Sequence, residues 1–84
     1  MKVFIGNLSF QAGEPEVKRL FSKFGEVKSV KVATDNYTRR SRGFAYVEMQ
    51  EREAGLKAID KLHNSFFMRK SLLVNEANDK SPRV

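Results

Sequence analysis

The chain has no cysteine among its 84 residues, which excludes disulfides and thiolate metal sites and leaves packing alone to hold the fold. A reducing compartment suits such a composition, and a cytoplasmic protein is expected. Long hydrophobic runs are also missing. The amino-terminal MKVFIGNLSF carries one lysine and an apolar stretch broken by Gly6 and Asn7, too short for a signal peptide or a membrane span. A soluble, unexported chain with no membrane partner is the expectation. Histidine occurs once, as His63, with no cysteine beside it, so no metal site is expected. The pairs Glu14/Glu16 and Glu51/Glu53 fall at helix starts, where they complement the dipole rather than form catalytic dyads. Gly6 and Gly43 lack the lysine and the spacing of a phosphate-cradling loop. No enzyme activity and no cofactor are expected, and there is no internal repeat or low-complexity segment.

Hydrophobic residues make up 40% of the chain, enough apolar area to argue for a folded core rather than disorder. A chain this short buries one modest core and has no surface for a second. One domain over residues 1–78 and a short polar tail over 79–84 are therefore expected. A formal charge of +6 and a pI of about 9.9 point toward an anionic partner.

The two-residue period of a strand runs through Lys2–Asn7, with Val3 and Ile5 on one face and Phe4 and Gly6 on the other. Leu8–Gly13 reads as a loop. Glu14–Phe24 has helical spacing, with Pro15 in the first turn and a stripe of Val17, Leu20, Phe21 and Phe24. Gly25 is expected to end it. Glu26–Ala33 alternates as a second strand, Val30 and Val32 opposed to Lys31, and the polar Thr34–Ser41 reads as a hairpin loop. Arg42–Met49 alternates strictly: Gly43, Ala45, Val47 and Met49 on one face, Arg42, Phe44, Tyr46 and Glu48 on the other. Glu51–Leu62 is a second helix with Ala54, Ala58, Ile59 and Leu62 on its apolar stripe. After a turn at Asn64, Leu72–Ala77 reads as the last strand. The order β-α-β-β-α-β predicts an α+β, ferredoxin-like sandwich, in which two helices cover one face of a four-stranded antiparallel sheet and leave the other open.

The covered face takes Val3, Ile5, Val30, Val32, Ala45, Val47, Leu72 and Val74. The open face should then be polar, yet it presents Phe4, Phe44 and Tyr46 beside Lys31 and Arg42, on strands that this topology makes neighbours. Bases stack on such rings at roughly 1–3 kcal/mol each, and cations hold the phosphates. The alternative role is cross-strand pairing within the sheet, worth roughly 0.2–1 kcal/mol per pair.

VFIGNL at 3–8 and RGFAYVEM at 42–49 resemble the short and long ribonucleoprotein signatures of the RNA recognition motif family. Both fall on expected strands in the right order, LFSKFG closes the first helix as in many relatives, and the likeness spans nearly the whole chain. Tyr46 stands where the long signature has Phe, and Met49 replaces its final aromatic and faces the core. The chain also looks like the small single-domain members found in bacteria and cyanobacteria. The resemblance implies that Phe4 and Tyr46 each stack a base, Phe44 packs against the sugars between them, and Arg42 pairs with a phosphate. It places Lys31, Lys2, Asn75 and Leu73 around that platform and adds Arg39, Arg40 and Asn78 from the hairpin loop and the segment after the last strand. Arg39 and Asn64 stand where relatives often have glycine.

The expected partner is single-stranded RNA, with single-stranded DNA as an alternative because stacking ignores the sugar. The expected role is post-transcriptional regulation or RNA chaperoning. Weak protein binding or self-association is a further expectation, for which the adjacent Phe66 and Phe67 supply a candidate in Phe66. A protein-interaction module of this fold would be recognised by missing sheet aromatics, and an acylphosphatase-like enzyme by an arginine within Asn7–Gly13. On this reading the rings serve binding rather than folding, and their truncation is expected to leave thermal stability near that of the parent.

Overall fold

The computed structural model describes residues 1–38 and 40–77. In chain order it contains β1 (Lys2–Gly6), α1 (Glu14–Ser22), β2 (Val27–Thr34), β3 (Ser41–Met49), α2 (Arg52–Leu62), β4 (Phe66–Phe67), β5 (Lys70–Ser71) and β6 (Leu73–Glu76). Strands β2, β3, β1 and β6 form one antiparallel sheet in that spatial order, and β4 pairs with β5 in a separate two-stranded ribbon. Helix α1 packs on β2, and α2 packs on β6, β3 and β1. This is the ferredoxin-like arrangement, with β1 and β3 at its centre.

Burial follows the pleat. Val3, Ile5, Ala45, Val47, Met49, Leu72 and Val74 are fully buried beneath Val17, Phe21, Ala58 and Leu62 of the helices. Val30 and Val32 are partly buried against the same cluster, because β2 is an edge strand. Leu8 and Ala12 extend the core beneath the loop that follows β1. No helix among the described residues is long and apolar enough to cross a membrane.

Helix α1 starts where the sequence indicates. Pro15 occupies the first turn, and the Glu16 carboxylate accepts the N–H of Gly13 at 2.9 Å, satisfying a donor that no earlier turn can reach. Its end differs from expectation. The helix stops at Ser22, and the Phe24 N–H donates to the carbonyl of Phe21 at 3.0 Å in a tightened last turn. Gly25 supplies no left-handed cap; it lies against Ala54 of α2 instead. At the far end of α2, Nδ1 of His63 accepts the N–H of Val74 at 3.0 Å, tying the helix to β6.

The ribbon of β4 and β5 was not expected. Phe66 pairs with Ser71 and Phe67 with Lys70, so the two-residue turn is Met68-Arg69. Both take positive φ, 50° and 72°. A two-residue hairpin requires that geometry, but Asn-Gly or Asp-Gly normally supplies it. Met and Arg carry a Cβ that crowds the left-handed region. Replacing Met68-Arg69 by Asn-Gly is therefore expected to stabilise the protein by about 1 kcal/mol in urea denaturation; an unchanged or lower midpoint would show that the side chains repay the strain through contacts.

Candidate nucleic-acid interface

The face of the sheet opposite the helices is built by the register of its two central strands. Phe4 on β1 stands directly across from Tyr46 on β3, Lys31 on β2 lies across from Tyr46, and Asn75 on β6 lies across from Phe4. One row therefore runs Lys31, Tyr46, Phe4, Asn75 over all four strands. The rings of Phe4 and Tyr46 are 5.5 Å apart between centroids and tilted by 58°. Phe44 completes a triangle, 6.0 Å from Phe4 and 6.3 Å from Tyr46, the latter edge to face. All three are partly exposed.

The Phe4 ring lies across Gly6, where an added Cβ would fall 3.0 Å from its Cε2. A side chain at position 6 would require the ring to give by a few tenths of an ångström. Leu73, opposite Gly6, borders the same spot and is 48% exposed.

Arg42 and Phe44 owe their placement to a bulge. Val32 pairs with Ala45, but Thr34 pairs with Ser41, so Arg42, Gly43 and Phe44 together oppose the single residue Ala33. Gly43 takes φ +89°, a conformation that side chains rarely adopt, and its carbonyl accepts the N–H of Leu8 at 2.9 Å. Bulges of this kind turn a side chain toward a site. Here the bulge sets the Arg42 guanidinium 5.8 Å from the centroid of the Phe44 ring, a cation–π contact that holds a positive charge beside the aromatic triangle.

The charges around the rings are not uniform. Lys31, Arg40 and Arg42 are exposed. Lys2 stands in register with Glu48, whose carboxylate also lies 3.9 Å from Lys28, so that end of the face carries compensated charge. The loop between β2 and β3 is closed by the Asp35 N–H donating to the Arg40 carbonyl at 2.8 Å. Asp35 itself accepts the N–H groups of Tyr37 and Thr38 at 2.7 and 3.1 Å. Tyr37 projects from that loop, 96% exposed. Arg39 and Asn78, expected in the same interface, lie outside the described residues. Asn64 does adopt positive φ, 67°, a conformation that asparagine tolerates better than most residues.

Over residues 3–73 the chain matches the RNA recognition motif. It belongs to that family. One relative is RbpD of Nostoc sp. (strain PCC 7120), 44% identical over 92% of this chain and 82% of RbpD. The crystal structure of RNA binding protein PG1 superposes with a TM-score of 0.92 at 35% identity, covering 98% of this chain and 99% of that one. The Sxl-lethal protein/RNA complex superposes with a TM-score of 0.87 at 27% identity, covering 90% of this chain and 47% of the other. The two signature segments of the motif are the strands that carry the aromatic triangle.

Two features of this RNA recognition motif escape a reading of its sequence. The first is the pair of exposed Phe10 and half-buried Lys70, with the ammonium 5.7 Å from the ring centroid; the only local signal was an aromatic inside a loop. The second is the mutual contact of the three rings, which gives them a share in sheet stability. Such pairs contribute roughly 0.5–1.5 kcal/mol beyond burial, so a loss of stability on truncation is the expected outcome here, against the near-parental stability expected from the sequence. Tyr46→Ala is expected to lose about 1 kcal/mol in chemical denaturation; a loss near zero would show that the rings only happen to lie side by side.

The Asp35 carboxyl titrates below its ordinary value, chiefly because the Tyr37 and then the Thr38 N–H groups bind its charged form, with Arg42 adding attraction. A lowered value in the folded state means that the loop hydrogen bonds hold at neutral pH and are lost as pH falls through that lowered value. An NMR titration should show the Tyr37 and Thr38 amides shifting together with Asp35, at a midpoint below the usual aspartate value of about 3.9. A midpoint at or above that value would remove these bonds from the loop's design.

Proposed function

We propose that the chain binds single-stranded RNA across its open sheet face, stacking one base on Phe4 and another on Tyr46. Phe44 packs against the intervening sugars, and Arg42 pairs with a phosphate. The observation that carries this reading is the aromatic triangle on the face without helices, held between Lys31 and Arg42. Each base offers a π-face of ring size, and partly exposed aromatics on one sheet face give it a stacking partner. Membership of the RNA recognition motif family and the likeness to a protein solved with RNA support the same conclusion.

The rim residues take secondary parts in the proposal. Lys31, Lys2 and Arg40 attract the backbone, Leu73 offers an apolar shelf beside Phe4, and Asn75 offers an amide opposite Phe4 for a base edge. Arg39 and Asn78 belong to it on sequence grounds. Residues 1–78 form the binding unit in this reading, with 79–84 as a tail. The cellular role that fits a small sheet-stacking domain is post-transcriptional regulation or RNA chaperoning in the cytoplasm, without catalysis.

Titration with short single-stranded RNAs tests the reading. Phe44→Ala or Tyr46→Ala is expected to weaken binding by roughly 1–3 kcal/mol, measured where both variants are folded. Unchanged affinity in both would overturn it. Arg42→Gln should lower the slope of log K against log salt by about 0.7, the share of one phosphate on a single strand; an unaltered slope would take Arg42 out of the phosphate role.

A further inference from the structure

Helix α1 and the β4–β5 ribbon leave a groove of about 250 Å³ between them. Val17 and Phe21 turn into the core, and Glu16, Arg19, Leu20 and Lys23, spaced to share another face of the helix, line one wall. Phe67 and Met68 of the ribbon line the other. Leu20 and Phe67 pack against the core and stay only partly buried. Met68 is 36% exposed and held at φ 50°, in a turn that Asn-Gly would fill with less strain. Strain kept in place at an apolar side chain points to a use for that side chain.

The charges along the groove are unbalanced. The Glu16 carboxylate is engaged by the Gly13 N–H at 2.9 Å, whereas Arg19 and Lys23 are exposed and form no ion pair among the described residues. An apolar groove beside two open cations suits an apolar side chain flanked by carboxylates. A nucleic acid would bring anions to Arg19 and Lys23 but no aliphatic group for the groove.

The chain carries the matching group on its other helix. Helix α2 buries Gly55, Ala58 and Leu62 and turns Leu56 outward, 44% exposed. Glu53 and Asp60, one turn before it and one turn after, lie on the same stripe, exposed and without an ion-pair partner among the described residues. On the opposite flank Arg52 is already engaged by Glu76 at 3.3 Å, and Lys57 and Lys61 stand further round the helix, beyond the carboxylates.

We propose that the Glu53, Leu56, Asp60 stripe of α2 docks into the groove between α1 and the ribbon of a second copy of this chain. Leu56 enters beside Leu20, Phe67 and Met68, and the two carboxylates meet Arg19 and Lys23. Each copy carries both halves, so the contact closes a two-fold pair or continues from copy to copy. It uses no residue of the aromatic triangle, and copies joined in this way along one strand would hold it more tightly than separate ones.

Sedimentation equilibrium of the full chain, without RNA and at low salt, tests the contact apart from RNA binding. The average mass is expected to rise with concentration at or below about 1 mM, a weak association, and to fall back when salt is added. Two double variants reverse one side each: Arg19→Glu with Lys23→Glu, and Glu53→Lys with Asp60→Lys. Each alone is expected to lose association at least about 10-fold, because like charges then oppose one another across the contact. An equal mixture of the two should regain it, since every opposed pair is again of opposite sign although both variants remain net positive. The proposal is overturned if the parent stays monomeric throughout that range, if either variant associates like the parent, or if two folded variants do not recover on mixing. Should a reversal unfold the chain, the exposed-site variant Leu56→Gln decides: it should lose association about 10-fold, the share of one buried leucine, and parental association in it overturns the contact.

Discussion

A sheet whose helices all lie on one side must bury every second residue of its central strands and leave the alternate residues uncovered. That constraint governs this protein. Val3, Ile5, Ala45 and Val47 reach zero exposure under α1 and α2, and the pleat then leaves Phe4 and Tyr46 no choice but the other side. Because β1 and β3 pair in register at those two residues, the outward rings meet as well as point the same way. Core packing and the aromatic face are two results of one pairing, and a slip of one residue would exchange them.

The bulge adds what alternation cannot. Two regular strands would continue their rows evenly to the ends. By opposing Arg42, Gly43 and Phe44 to Ala33 alone, β3 twists locally and draws a guanidinium over an aromatic ring. The carbonyl of Gly43 then anchors the loop after β1, and its missing side chain admits Phe10. One residue without a side chain thus joins the central sheet to the loop and ribbon at its edge, and the aromatic and cationic groups on either side of it repeat the same pairing.

Most of the architecture was legible because each strand and helix carries its own period. The core face, the β-α-β-β-α-β order, and the rings of Phe4, Phe44 and Tyr46 follow from spacing within short segments. The parts that were not legible depend on relations between segments. The Arg42–Met49 run alternates without interruption, so only its pairing with β2 exposes the bulge. Met68-Arg69 lacks the glycine or asparagine that advertises a tight hairpin, and the β4–β5 ribbon stayed hidden for that reason. Gly25 looked like a helix cap, but close approach to Ala54 explains it. Phe10 and Lys70 are distant in sequence and meet where the Asn7 amide fastens loop to ribbon.

The row Lys31, Tyr46, Phe4, Asn75 separates duties that are often entangled. Its two inner members are held by ring contacts and by the core directly beneath them, whereas Lys31 and Asn75 stand exposed on outer strands. A designer wishing to retune which bases are preferred would vary those outer two positions and Leu73, and would keep the glycines at 6 and 43 fixed. The scaffold tolerates new recognition chemistry at its margins because its folding information is concentrated in the middle.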